Sequence, residues 1–324
     1  MAKAIGRAGP QGPLQAGPGA DGGGQNARAA LLMTLGMAGF AFEDTLLKLL
    51  SRAMPTGQVL MIVGLAGMVV FGSWVALRGG GLRPRDLLHR GVLARNLCEA
   101  ICAICFVTAL ATGDLSIASA ILQALPLLMT LGAALFLSEP VGWRRWLSIL
   151  AGFAGVLLIV RPGTDAYQPA SLLALIAVLA LAARDLITRR LPPGIGSGML
   201  TASAFGAMAF AGAVLALLGG QRMMMPDARQ AAMLLACVGF GLGGYLAMVI
   251  ATRIGEIGAI APFRYSRLIF AILLAMAVFG ERPDGWTLAG AGIIAAAGGY
   301  AMWREARLRG RPRTASPGGP IPPG

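Results

Sequence analysis

The sequence predicts an all-α membrane protein: ten transmembrane helices arranged as two inverted five-helix repeats. Three observations carry this. Of the 324 residues, 56% are hydrophobic and 13% are charged, against about 25% charged in an average soluble domain, and mean hydropathy is +0.72. So few polar groups cannot cover the surface of a soluble fold of this length, and lipid removes the need. The apolar residues gather into ten continuous stretches. A pattern of charged and turn residues in the first half then returns about 142 positions later in the second.

The ten stretches fall at 29–50, 57–77, 93–111, 117–137, 146–160, 171–188, 198–218, 232–252, 259–279 and 286–303. Only helices and closed barrels satisfy the backbone in lipid. Barrel strands alternate polar and apolar residues over about 10 positions, whereas these stretches are continuously apolar and longer. Breakers separate them: Pro55, Pro84, Pro140, Pro162, Pro192, Pro226 and Pro283. Inside the fourth span, Gln123 and Pro126 predict an interruption. Residues 1–28, rich in Gly, Pro and Ala, predict a disordered tail, as do the basic, Pro-rich residues 306–324.

Net charge is +13. In a soluble protein this would suggest nucleic acid, but in a membrane protein Lys and Arg collect in cytoplasmic loops. With the N-terminus in the cytoplasm, 17 of the 27 Lys and Arg fall in cytoplasmic tails and loops and five in outer loops. Both termini are therefore expected in the cytoplasm, in the cell inner membrane, with nucleic acid excluded as a partner. The four cysteines (Cys98, Cys102, Cys105 and Cys237) lie in apolar stretches and give no disulfide framework and no metal site. No cofactor is expected.

The repeat is visible in particular residues. Gly113-Asp114-Leu115 precedes Glu139 as Gly255-Glu256-Ile257 precedes Glu281, and Trp143 and Trp286 follow the two acids. Asp44-x-x-x-Lys48 is echoed by Asp185-x-x-x-Arg189. The halves divide as 29–162 and 163–305. Five helices per copy is an odd number, so the second copy inserts upside down, the arrangement typical of secondary transporters.

Five stretches carry a family resemblance. They are Phe42-Glu43-Asp44-Thr45-Leu46-Leu47-Lys48, Leu137-Ser138-Glu139-Pro140-Val141-Gly142-Trp143, Gly152-Phe153-Ala154-Gly155-Val156, Ala261-Pro262-Phe263-Arg264-Tyr265-Ser266-Arg267 and Phe279-Gly280-Glu281-Arg282-Pro283. Each is a weak motif. In their order and spacing over residues 29–305 the chain resembles the drug/metabolite transporter superfamily, in the subfamily of two tandem EamA-type domains. The resemblance implies ten helices, cytoplasmic termini and a central cavity served by alternating access. It implies no single substrate.

Nine ionisable residues lie in the predicted spans: Glu43, Asp44, Lys48, Arg95, Glu99, Arg184, Asp185, Arg264 and Arg267. Each costs roughly 2.5–3.5 kcal/mol or more at depth, so each needs a partner or a function. Asp44 and Lys48 are four apart, as are Arg95 and Glu99, which predicts intrahelical ion pairs or, alternatively, cavity-lining groups. Arg264 and Arg267 put two like charges on one face and require something negative opposite. Tyr265 beside them offers a stacking surface, and Gln123 in the fourth span is a polar group expected to face the cavity. The candidate substrate residues are thus Arg264, Arg267, Tyr265, Glu99, Arg95, Asp44 and Gln123. For coupling or gating the candidates are Glu43, Asp44, Lys48 and Asp185, while Glu139 and Glu281 are expected to orient loops.

The expected function is a secondary transporter of a small polar metabolite, anionic or zwitterionic because basic residues outnumber acidic ones in the spans by five to four. A proton-coupled exporter of amino acids or drug-like metabolites is the alternative, with the lipid bilayer and, as an open option, a second copy of the chain as partners. The single histidine, His89, lies in a loop, which excludes a Ser-His nucleophile within the membrane. An aspartyl dyad of Asp44 and Asp185 is the remaining enzyme reading. A channel would show a filter or rings of like charge.

Overall fold

In the computed structural model, residues 22–77, 84–137, 142–165, 167–192, 195–220 and 222–309 are described. Glu139, expected to orient a loop, lies outside them. Ten helices run through the described residues: α1 Gly22–Ala53, α2 Thr56–Leu77, α3 Arg90–Thr112, α4 Leu115–Phe136, α5 Trp143–Val160, α6 Pro169–Arg189, α7 Ser197–Leu218, α8 Ala228–Ile254, α9 Ala261–Phe279 and α10 Gly285–Arg309. No strand occurs among these residues. Nine of the helices are long and apolar enough to cross a membrane. The other, α10, has 25 residues. Residues 22–28, expected in a disordered tail, extend α1, and α10 continues to Arg309.

The packing maps onto itself when each helix is exchanged for the one five places on. Helix α1 packs on α8 as α6 packs on α3, and α1 meets α9 as α6 meets α4. The pairs α2 with α7, α5 with α10 and α4 with α9 map onto themselves. One detail repeats at residue level. Gly113 ends α3 with its N–H on the Ala109 carbonyl and its Cα against Ala170; Gly255 ends α8 with its N–H on Ala251 and its Cα against Ala29. These are the Gly113 and Gly255 of the sequence repeat.

Lipid tails are as apolar as leucine, so helices in a membrane associate through close packing rather than water exclusion. Glycines supply it here. A Cβ on Gly36 would lie 2.9 Å from the Gly244 carbonyl oxygen, where α1 crosses α8. A Cβ on Gly155 would lie 2.8 Å from the Gly290 carbonyl oxygen, where α5 crosses α10. The outer surface is apolar, with Phe210, Leu235 and Ile269 turned outward.

Two central helices are broken at matching places. Helix α4 consists of Leu115–Leu122 and Leu125–Phe136. At the break, the N–H groups of Gln123 and Ala124 bond back three residues, to Ala120 and Ile121, as a tighter turn requires. Helix α9 opens with a 3-10 stretch, Ala261–Tyr265, around Pro262 before Ser266–Phe279. The breaks meet, because the Gln123 side-chain amide donates to the Arg264 carbonyl at 3.3 Å. Discontinuous helices at mid-membrane are the usual setting of transporter binding sites.

Candidate functional site

An even number of crossings puts Gly22 and Arg309 at one end of the bundle, the near end; the other is the far end. At the far end the halves are bolted together. Lys48, late in α1, is fully buried and places its ammonium 2.6 Å from the Glu281 carboxylate and 2.7 Å from the Gly113 carbonyl oxygen. Glu281 also accepts from the backbone N–H groups of Leu115 and Ser116 (2.8 and 3.0 Å) and from the Ser116 hydroxyl (2.7 Å). These are the free N–H groups of the first turn of α4, whose N-cap Asp114 makes no side-chain cap. Glu281 caps the helix from a distance, a placement the helix dipole favours. Gly280, in the left-handed region at φ 67°, makes the turn that carries Glu281 there.

Two further bonds close the same end. Arg161 reaches Asp284 at 2.6 Å, and Gln58 exchanges hydrogen bonds with the backbone of Met224. Asp284 begins α10 and accepts the Thr287 N–H at 2.9 Å. The hydrogen bonds from the Thr287 hydroxyl and backbone, and then Arg161, hold the Asp284 carboxyl at about 2, below the usual 3.8. A carboxyl whose folded value is depressed stabilises the fold above its unfolded value and loses that contribution as pH falls through the folded one. An Asp284→Ala variant is therefore expected to melt below wild type at pH 7, with the gap closing between about pH 4 and 2. Thermal unfolding at several pH values checks this. A gap independent of pH would mean that the carboxylate is not responsible.

The intrahelical pairs expected from spacing do not form. Lys48 turns to Glu281 rather than Asp44. Asp44 is itself 2% exposed and bonds Arg267 of α9 at 2.7 Å. Arg95 donates instead to the Thr188 hydroxyl, Asn96 and the Leu200 carbonyl. Glu99 takes Arg184 of α6 at 2.7 Å, and Arg184 also holds Asp185. Asp44, Glu99 and Asp185 each find an arginine on another helix, or next to them, because such a pair neutralises charge and also ties elements together. With Asp44 and Asp185 each on its own arginine, the aspartyl dyad is not assembled.

Between mid-span and the near end lies a cavity of about 270 Å³, just under the range of about 300–1,000 Å³ usual for ligand sites. Phe40 and Glu43 of α1 line it, with Phe71 of α2, Arg95 and Glu99 of α3, and Arg184 of α6. Phe205 of α7 and Tyr245 of α8 complete an aromatic wall: Phe71 stacks on Phe205 at 5.5 Å and meets Tyr245 edge-on at 5.6 Å.

Of the sequence candidates, Arg95, Glu99 and Glu43 reach this cavity. Asp44, Arg267 and Asp185 lie beside it in its ion pairs. Gln123 and Arg264 sit at the helix breaks. Lys48 belongs to the far-end bolt. Tyr265 faces the other way: it is 8% exposed and its hydroxyl packs against Gly298 of α10. Sequence reasoning missed the aromatic wall. Its members come from three helices and share no spacing, and Tyr245 follows a small-residue run that reads as packing.

Comparison with known proteins agrees with this architecture. The model of the EamA-like transporter family matches twice, over residues 27–161 and 168–299, which together take in most of the chain. The chain belongs to the EamA-like transporter family. Among relatives of this EamA-like chain, an S-adenosylmethionine uptake transporter of Rickettsia felis is 27% identical over 58% of this chain and 63% of that protein. A second, from Rickettsia prowazekii, is 28% identical over 56% of this chain and 61% of that protein. The chain thus spans under two thirds of the length of these relatives. A riboflavin transporter of Rhizobium johnstonii is 29% identical over 68% of this chain and 72% of that protein. A solved crystal structure, 18% identical, superposes with a TM-score of 0.57 over 87% of this chain and 99% of the other, a likeness that speaks for the fold alone.

Proposed function

We propose that this chain is a secondary carrier of a small polar metabolite in the bacterial inner membrane, working by alternating access between its two halves. The observation that carries the reading is the pairing of a central cavity with a sealed far end: the Lys48–Glu281 bolt closes one side while the cavity lies toward the other. Two inverted copies of nearly equal energy can exchange roles, so that the seal at one end is replaced by a seal at the other. With the near end in the cytoplasm, as the distribution of Lys and Arg favours, the conformation described is the one closed to the outside.

The substrate reading follows from the wall and the relatives. An aromatic surface beside arginines and carboxylates suits a metabolite with a planar ring and polar groups. S-adenosylmethionine and riboflavin, named for the relatives, are both of that kind. Catalysis has no place in this reading, since the carboxylates of the aspartyl dyad are each held by arginine.

Counterflow in proteoliposomes tests the proposal. Vesicles preloaded with unlabelled S-adenosylmethionine or riboflavin are expected to accumulate the labelled compound several-fold over unloaded vesicles, because a carrier exchanges faster than it returns empty. Entry without acceleration by internal substrate would indicate a channel, and entry of neither compound would overturn this choice of substrates.

A further inference from the structure

The repeat relates two buried sites whose charged residues differ. Glu43-Asp44 of α1 corresponds to Arg184-Asp185 of α6, and Glu99 of α3 to Gly241 of α8. In one half, Arg184 binds Glu99 at 2.7 Å. In the other, Glu43 faces Gly241 so closely that a Cβ there would lie 2.5 Å from its carboxylate oxygen. Where the first site has a partner side chain, the second has none. Among the described residues Glu43 makes no side-chain hydrogen bond and no ion pair, and it lines the cavity.

A second charge is left over. Arg267 is bonded to Asp44, but Arg264, one turn earlier on α9, is exposed, and its guanidinium makes no hydrogen bond or ion pair among the described residues. Its electrostatic neighbours are Tyr265, Asp185 and Arg267. The remaining intramembrane charges are engaged: Lys48 with Glu281, Asp44 with Arg267, Glu99 and Asp185 with Arg184, and Arg95 with neutral acceptors. Among the described residues of the spans, one carboxylate and one guanidinium remain, of opposite sign.

Unpaired charges within a membrane are costly and persist where function needs them. Resting on the carrier reading above, we propose that the substrate is a zwitterion bearing a planar ring. Its ammonium or sulfonium is taken by Glu43 and its ring by the Phe71–Phe205–Tyr245 wall, both in the cavity lining, and its carboxylate by the planar fork of Arg264, which stands outside that lining, at the helix break near Asp185. Glycine at 241 leaves the Glu43 carboxylate uncrowded, where a Cβ would lie 2.5 Å from its oxygen. The two free residues read charge, and the wall reads shape.

The test compares binding to the full chain in lipid nanodiscs. The probes are S-adenosylmethionine, which carries both charges and a ring, 5′-methylthioadenosine, which keeps the ring without charge, and riboflavin. Neither the Glu43 nor the Arg264 side chain is hydrogen-bonded or ion-paired among the described residues, so Glu43→Gln and Arg264→Gln are expected to fold, with melting temperatures near wild type. Wild type should prefer S-adenosylmethionine to 5′-methylthioadenosine. Each variant should weaken S-adenosylmethionine about 10- to 100-fold, the worth of a charged hydrogen bond, and leave 5′-methylthioadenosine unchanged. The proposal is overturned if wild type binds the uncharged compounds as tightly as S-adenosylmethionine, or if both variants weaken all three probes alike. Counterflow separates the two readings. If riboflavin exchanges but S-adenosylmethionine neither binds nor exchanges, the carrier stands and the zwitterion site falls. If the binding pattern holds without counterflow of any compound, the site stands and the carrier falls.

Discussion

A Lys48→Met variant is expected to lose about 3–5 kcal/mol of folding stability, the cost of removing one partner from a buried ion pair. The ammonium is fully buried, and its loss strands the Glu281 carboxylate, which is 7% exposed, and leaves the Gly113 carbonyl without its donor. The backbone N–H groups of Leu115 and Ser116 still face Glu281 and should keep the loss toward the lower end of that range. Adding Glu281→Gln should recover part of it, because no unpaired buried charge then remains. Thermal or denaturant unfolding of the purified protein in detergent measures both. A single-variant loss under about 1 kcal/mol, the value of an exposed pair, would mean that the far-end bolt is solvated and does not hold the halves.

The second large effect is expected where α2 crosses α7. A Cβ on Gly57 would lie 2.5 Å from the Ala216 nitrogen and 2.6 Å from the Gly212 carbonyl oxygen, and one on Gly212 would meet the Met61 nitrogen and the Gly57 carbonyl at 2.5 and 2.6 Å. These neighbours are backbone atoms and cannot swing aside as a side-chain end can. Gly57→Ala and Gly212→Ala are each expected to force the helices apart at about 1–3 kcal/mol or more. Gly72 of α2 and Gly239 of α8 have nothing within 4 Å of their Cβ positions, so Gly72→Ala and Gly239→Ala serve as controls. They should be neutral or slightly stabilising, since alanine favours a helix over glycine by about 1 kcal/mol. Equal melting temperatures for all four variants would show that this crossing does not depend on close backbone approach.

The sequence displayed the need for partners at the intramembrane charges, and the four-residue spacing named the wrong ones. Asp44 and Lys48 are four apart, and spacing alone pairs them. In the fold they go to Arg267 and Glu281, more than 200 positions away, by sequence separations of 223 and 233. Spacing sees only one helix, and the lowest-energy partner of a buried charge is whichever group the packing brings nearest. For the same reason Glu281 read as a loop residue and proved to be a helix cap across the repeat boundary. Tyr265 read as a stacking surface for substrate, and in the fold it is buried against Gly298 of α10.

By itself the sequence determined the membrane setting, the ten helices, the inverted repeat and the break in the fourth span at Gln123 and Pro126. Each follows from local rules: apolar length, charge placement, odd helix number and the missing N–H of proline. Which charges pair, which two stay free and which aromatic rings share a wall were decided by tertiary structure alone. These depend on how helices far apart in the chain meet, and that is set by close approaches such as Gly57 on Gly212 and Gly241 on Glu43. A glycine in a span reads the same whether it meets a backbone, a carboxylate or open lipid, and only the packed bundle tells these apart.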